Sequence, residues 1–215
     1  MFDKPFFHKL NYIADWILRI VTINLILIVA TLLVFTLYPS LYAAFKLFKD
    51  WRYGKNTPIF SGFWSYFKEN LKKKFQISLI FILILLLGIY SMISYDSFIE
   101  ENSGVIYLIG YYVVLLFLIM FVLITLYTIP VLMYFKDVDM TNLFKLSLYV
   151  MGKYFIITLL LSVLWIIPIL LIFIPQFMVI YVIAGLSLTV LLWVLVSNPI
   201  FKFLERISAN VKTRN

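Results

Sequence analysis

The chain has 215 residues, of which 64% are hydrophobic, and its mean hydropathy is +1.05. This apolar fraction is well above the roughly 45–50% of soluble domains, so the composition excludes a water-soluble globular fold. The absence of cysteine excludes disulfides and thiolate metal sites, and the single His8 cannot supply a multi-histidine site. The formal charge of +8 fits either nucleic acid or a membrane surface, and the distribution of the basic residues must decide between them.

Five apolar runs dominate the sequence. A bilayer core about 30 Å thick needs about 20 consecutive apolar residues for each helical span. Short charged or proline-containing segments separate the runs, so we predict an all-α membrane protein with about five transmembrane helices and no separate soluble domain. The runs cover residues 16–38, 75–95, 105–134, 154–174 and 177–201.

The first run carries three polar residues that form a candidate intramembrane polar site. Asp15 and Arg19 lie four residues apart, on one face of a helix, and Asn24 follows deeper in the run. Ionisable groups inside a span are costly unless they are paired, which favours a polar cavity. Alternatively, Arg19 snorkels to the interface and Asn24 bonds to a neighbouring helix. The sequence leaves both interpretations open.

The charges predict an orientation in the membrane. The segment between the first two runs carries eight basic residues against Asp50 and Glu69, which places it in the cytoplasm by the positive-inside rule. Fifteen of the 18 Lys and Arg residues then fall on one side, so we predict the N-terminus outside and the C-terminus in the cytoplasm. Lys4, Lys9 and Arg19 weigh against this orientation, because they fall on the proposed outer side. If the first run makes no full span, the N-terminus lies inside instead.

An internal repeat relates the two halves of the chain. The sequence TLYPSLYAAFKLFKD at 36–50 matches TLYTIPVLMYFKD at 125–137. We therefore predict two tandem, parallel, hairpin-like repeats and a final helix within one transmembrane domain. The predicted boundaries are about 14–97 for the first repeat, about 105–174 for the second and about 177–203 for the final span.

Pro39 and Pro130 occupy matching places in the two repeats. A proline removes a backbone donor, and the carbonyls that it frees must face protein or a cavity. We therefore predict a break in the helix at each position. The break is either the structural end of a span or a hinge that contributes to a ligand site.

An aromatic and basic segment precedes the second run. Its aromatic residues recur at helical spacing over 59–71, which predicts an amphipathic helix on the cytoplasmic face. No RNA-binding pattern accompanies the lysines and they adjoin a span, so lipid headgroups or a partner protein are favoured over nucleic acid. The predicted contact residues are Phe60, Phe63, Trp64, Phe67, Lys68, Lys72, Lys73 and Lys74.

Four short patterns resemble the YesL family, best over residues 14–81. They are Asn24-Leu25, Thr36-x-x-Pro39-Ser40, Ala43-Ala44 and Phe63-x-x-x-Phe67-Lys68. The resemblance implies an integral protein of the bacterial cell membrane, of unknown biochemical function. It also implies an association with carbohydrate ABC importers, since genes of that family often lie beside theirs. The family's usual glycine before the proline is Tyr38 here, which predicts a differently shaped bend.

Two functions remain open, and neither is enzymatic. The sequence offers no paired carboxylates, no nucleophile beside a base and no set of metal ligands, so we expect no catalysis and no cofactor. The first function is an accessory subunit that associates with carbohydrate ABC importer permeases or with itself. The second is a stand-alone small-solute transporter lined by Asp15, Arg19, Asn24 and the backbone near Pro39 and Pro130. The interiors of spans two to five carry no charged residue, which disfavours ion-coupled transport.

Overall fold

The computed structural model describes residues 5–102 and 104–212, so that Lys4 lies outside the described residues. The described residues are helical almost throughout and contain no strand. Five of their helical segments are long and apolar enough to cross a membrane, which confirms the predicted helical membrane fold. These candidate spans are Lys9–Thr31, Leu71–Ile99, Val105–Tyr134, Phe155–Phe173 and Pro175–Val196.

The described part of the chain forms ten α-helices, joined in places by short 3₁₀ and π segments. The α-helices are α1 (Pro5–Thr31), α2 (Leu37–Arg52), α3 (Ile59–Lys68), α4 (Leu71–Asn102), α5 (Val105–Tyr134), α6 (Met140–Lys153), α7 (Phe155–Phe173), α8 (Met178–Ile180), α9 (Leu186–Val196) and α10 (Asn198–Lys212). The 3₁₀ segments are Val34–Thr36 and Pro175–Phe177, and the π-helix is Tyr181–Gly185. The fifth span therefore consists of several helical pieces.

The first apolar run is not one continuous helix. Helix α1 ends at Thr31, seven residues before the predicted end of the run, and the chain turns before α2 begins. The Thr36 hydroxyl lies 2.7 Å from the carbonyl oxygen of Ala30 and 2.8 Å from that of Leu33, so it satisfies backbone groups that the break frees. Pro39 lies in the first turn of α2, where a missing N–H costs little.

The predicted break at Pro130 is wrong. Helix α5 continues through this proline and ends four residues later at Tyr134. One proline removes a single hydrogen bond, whereas ending the helix inside lipid would expose several unpaired backbone groups, so the helix continues. The two repeat-like stretches nevertheless share one property, because residues 38–45 and 125–132 are buried throughout.

The chain divides into two compact units. One comprises Met1–Leu71 with Leu159–Asn198, and the other comprises Lys72–Thr158 with Pro199–Asn215. The predicted repeat arrangement remains a prediction.

Helix α2 forms the core of the first unit, a role that the sequence did not predict. It packs against α1, α3 and α9, and most of its residues are buried. Phe45 lies against Trp193 with ring centroids 4.4 Å apart, and Ala43 and Ala44 are fully buried. The guanidinium of Arg19 lies 4.9 Å from the ring centroid of Trp51, so α2 folds back beside α1.

The direction of α1 differs from the predicted topology. Asn24 contacts the middle of the fifth span, whereas Arg52, near the Arg19 end of α1, contacts the end of α9. Helix α1 is therefore antiparallel to the fifth span, and Arg19 lies at the end of the unit where α9 ends. The predicted topology places the start of the first span on the side opposite the end of the fifth span. These contacts instead place the Arg19 end of α1 beside the end of the fifth span. The reason is that α2 returns the chain toward its starting side.

Helices α5 and α6 pack together in the second unit. The ring of Phe121 stacks on Phe81 and on Phe144, with centroids 6.3 and 6.1 Å apart. Gly88 of α4 allows the side chain of Leu118 to approach closely, because a Cβ atom there would lie 2.2 Å from Leu118 Cδ2. Small residues at such contacts let helices in lipid pack closely.

Candidate functional site

Asp15 and Arg19 form an ion pair on the surface of α1. Arg19 Nη2 lies 2.6 Å from Asp15 Oδ2, and the side chains of Arg19 and Asp15 are 20% and 47% exposed. The guanidinium also lies over the ring of Trp16, at 5.6 Å, as well as that of Trp51. Both charges therefore have partners, and neither is enclosed in a cavity.

Asn24 is fully buried, and both ends of its side-chain amide are bonded to the fifth span. Its Nδ2 donates to the carbonyl oxygens of Tyr181, at 2.8 Å, and Val182, at 2.7 Å. Its Oδ1 accepts a hydrogen bond from the backbone N–H of Ser187 at 2.9 Å. Both amide protons are therefore engaged by the backbone of the fifth span, so the donor side of the amide is not offered to a solute.

The contact of Asn24 coincides with the π-helical turn Tyr181–Gly185. Such turns leave backbone groups without their α-helical partners and frequently occur at functional positions. Gly185 permits the turn to close, because a Cβ atom there would lie 2.7 Å from Tyr181 Cδ2. The asparagine and the irregular turn therefore form one structural unit.

A polar network between α2 and α3 is the largest feature that sequence reasoning missed. Lys46 Nζ lies 2.5 Å from Glu69 Oε2 and 4.2 Å from the ring centroid of Tyr66. Asp50, only 5% exposed, accepts a hydrogen bond from the Tyr66 hydroxyl and lies 2.8 Å from Lys55 Nζ. The available signal was the spacing of Lys46 and Asp50, which places both on one face of a helix.

Burial raises the pKa of two phenols in this region. Burial, reinforced by the carboxylate of Asp50, raises the pKa of Tyr66 to about 12. Burial also raises the pKa of Tyr42, and the charge of Glu69 adds to this effect. Both phenols are neutral near neutral pH, as unshifted tyrosines also are, and the neighbouring carboxylates extend that neutral range to higher pH.

An apolar cleft of about 400 Å³ opens between α1, α2 and α3. Its volume lies within the range of about 300–1,000 Å³ that is usual for ligand sites. Apolar side chains form most of the wall. The lining residues are Leu25, Ile26, Val29, Ala30, Leu33, Thr36, Ser40, Phe63, Trp64 and Phe67.

Helix α3 covers most of the predicted amphipathic segment but ends at Lys68. Phe63 is buried and Phe67 is half-buried, whereas Phe60 and Trp64 are exposed by 71% and 56%. Lys68 is also exposed, and its Nζ lies 5.8 Å from the ring centroid of Trp64. The exposed surface thus combines aromatic rings with a cation.

The run of three lysines does not form one surface. Lys72 is exposed, whereas Lys73 Nζ donates to the carbonyl oxygens of Lys136, at 2.7 Å, and Val138, at 2.6 Å. Lys74 is fully buried, so its predicted contact with a partner or headgroup is wrong. Successive residues of a helix point about 100° apart, so three consecutive lysines cannot face the same side.

Arg52 has a role that the sequence did not indicate. Its Nη1 donates to the carbonyl oxygens of Val194, at 2.7 Å, and Leu195, at 3.0 Å. These carbonyls belong to the last turn of α9, where a helix leaves its acceptors unpaired and carries partial negative charge. The arginine therefore caps the fifth span and joins it to α2.

The C-terminal part of α1, all of α2 and α3 and most of α4 lie within one family match. Residues 20–92 match a family model described as "Protein of unknown function, DUF624". The match covers about a third of the chain and includes Asn24, the polar network and the apolar cleft. Comparisons with curated proteins and with solved structures give no match. The resemblance to the YesL family remains a prediction.

Proposed function

We propose that this protein is an accessory membrane subunit that docks on a carbohydrate uptake or sensing complex in a bacterial cell membrane. The observation that supports a scaffolding role is the pairing of the polar groups along α1. Asp15 and Arg19 neutralise each other, and Asn24 donates to and accepts from the backbone of the fifth span. These groups hold helices together, as polar side chains in lipid commonly do.

The partner is an ABC importer permease, and the suggestion comes from the resemblance to the YesL family alone. The docking surface is the exposed side of α3. It consists of Phe60, Trp64 and Lys68, which we call the α3 surface. Exposed aromatic residues supply anchors, and a lysine supplies charge complementarity to an acidic partner surface. The proposal includes no catalytic step and no cofactor.

The alternative, a stand-alone small-solute transporter, has weaker support. Its proposed lining residues do not converge on one cavity, because Asp15 and Arg19 pair on the surface of α1 while the donors of Asn24 point at backbone carbonyls. Pro130 introduces no break in α5. A transport pathway would require these bonds to open during the cycle.

We further propose that the Lys46–Lys74 segment lies on the cytoplasmic face and that α1 begins on the same face. The positive-inside rule assigns the Lys46–Lys74 segment to the cytoplasm, and α2 returns to the end of α1 that carries Arg19. With this orientation, Lys9 and Arg19 no longer oppose the rule. The segment around Asp96 lies outside.

The experiment is a pull-down of the tagged protein from its native membrane in mild detergent, followed by size exclusion and mass spectrometry. Permease subunits of an ABC importer at matching stoichiometry would support the proposal. The double variant Phe60→Ser with Trp64→Ser should lose these subunits, while Tyr90→Ser, an equally exposed aromatic position on α4, should retain them. A homo-oligomer free of other subunits would contradict the proposal and favour the stand-alone transporter.

A further inference from the structure

The volume and the lining of the apolar cleft suit a single flexible chain. Exposed residues of α1 and of the turn that follows it form the outer rim, among them Leu25 and Val29 of α1 and Leu33 of the turn. An α-helix with its side chains measures about 10–12 Å across, so a cleft of about 400 Å³ holds little more than one turn of a partner helix. An acyl chain fits the volume and the apolar wall better.

One polar atom in the wall lacks a partner. Ser40 is 1% exposed, lines the cleft, and its Oγ makes no hydrogen bond among the described residues. A buried hydroxyl without a partner costs about 1–3 kcal/mol. The neighbouring Thr36 hydroxyl does not relieve it, because that group is bonded to backbone carbonyls of its own turn. Ser40 therefore offers a donor to an acceptor that enters the cleft.

A cation lies beside the cleft. Lys68 Nζ is close to the ring of Trp64, which lines the cleft, and Lys68 has no acidic partner among the described residues. Aromatic rings and lysines at a membrane interface attract anionic headgroups.

We propose that this cleft binds one anionic phospholipid. One acyl chain occupies the apolar cleft, the Ser40 hydroxyl donates to an ester carbonyl, and Lys68 pairs with the phosphate headgroup. A zwitterionic lipid fills the same cleft but gains less from the lysine. Trp64 and Lys68 also belong to the α3 surface, but the lipid site is tested on the purified protein with no importer present.

The test is native mass spectrometry of the detergent-purified protein titrated with phosphatidylglycerol or phosphatidylcholine of matched acyl chains. We expect one high-affinity binding event, with phosphatidylglycerol favoured about two- to fivefold, the range for an exposed ion pair. Lys68→Gln should abolish that preference. Ser40→Ala should weaken binding of both lipids.

Filling the cleft separates this site from general lipid contact. Ala30→Phe should abolish the first binding event for both lipids, while Ala14→Phe, on an exposed part of the same helix, should leave it intact. If Ala30→Phe fails to fold, Val29→Trp at the rim replaces it. Equal retention of the two lipids by the wild type, or an unchanged first event in the filled variant, would overturn the proposal.

Discussion

The side chain of Asn24 bridges the carbonyl of Val182 and the N–H of Ser187, two groups of the fifth span that are five residues apart. That spacing is the one that a π-helical hydrogen bond would join. The asparagine therefore takes the place of a backbone bond and stabilises an irregular turn at a depth where unpaired groups are costly.

Asn24→Leu should destabilise the protein by about 1–3 kcal/mol, because it leaves buried backbone groups without partners. Thermal unfolding in one detergent, compared with the wild type, measures the effect. Asn24→Asp should be at least as destabilising at neutral pH, since an ionised carboxylate cannot donate to the two carbonyls. Wild-type stability in both variants would mean that the amide is dispensable for packing.

Gly62 should be required for the contact of α3 with α2. A Cβ atom there would lie 2.5 Å from Thr57 Cγ2 and 3.0 Å from Leu47 Cδ2, so Gly62→Ala should cost about 1–3 kcal/mol through overpacking. Gly152→Ala is the matched control, because nothing lies within 4 Å of its new Cβ. Removal of a helical glycine in open space should stabilise α6 by about 0.5–1 kcal/mol. Effects of the same sign at the two positions would mean that the close contact at Gly62 does not limit packing.

Asp139 should make the start of α6 sensitive to acid. Its carboxylate accepts hydrogen bonds from the backbone N–H of Asn142, at 3.2 Å, and from Asn142 Nδ2, at 2.6 Å, and these bonds lower the pKa of Asp139. Because the folded pKa is lowered, the stabilisation is present above the ordinary carboxyl pKa and disappears as the pH falls through the folded value.

Amide hydrogen exchange in the first turn of α6 measures this effect. The protection factors of the wild type should fall as the pH drops from the ordinary carboxyl pKa through the folded pKa, whereas those of Asp139→Asn, which keeps an acceptor without a charge, should vary less. An equal acid response in both proteins would show that another group is responsible.

The proposed orientation predicts a labelling pattern. The chain has no cysteine, so single-cysteine variants report directly on sidedness. In intact cells an impermeant maleimide should label Ser97→Cys but leave Asn11→Cys and Lys55→Cys unlabelled until the membrane is opened; all three positions are exposed. Labelling of Asn11→Cys from outside would restore the N-terminus to the outer face.

The sequence predicts the spans well because lipid imposes a length and a composition on any helix that crosses it. The third span was predicted residue for residue, as 105–134. Helix α2 was missed because Lys46 and Asp50 interrupt its apolar pattern. Hydropathy cannot register that each of them has an oppositely charged partner, Glu69 for Lys46 and Lys55 for Asp50.

The details of the candidate site were less predictable. Deep burial of Asn24 follows from its place in the first run, but its partner is a π-turn whose backbone irregularity has no clear sequence signal. Pro39 and Pro130 occupy similar contexts yet differ, since only the first follows a turn that Thr36 stabilises by bonding the freed carbonyls. Tertiary contacts, absent from a sequence pattern, decide such cases.

Solute flux through proteoliposomes containing only this protein tests the scaffolding role most directly. Stopped-flow light scattering with a panel of mono- and oligosaccharides should give rates equal to those of protein-free liposomes, for the wild type and for Arg19→Leu alike. Saturable flux of any of these sugars by the wild type, reduced by Arg19→Leu, would contradict the scaffolding role and identify the protein as a transporter in its own right.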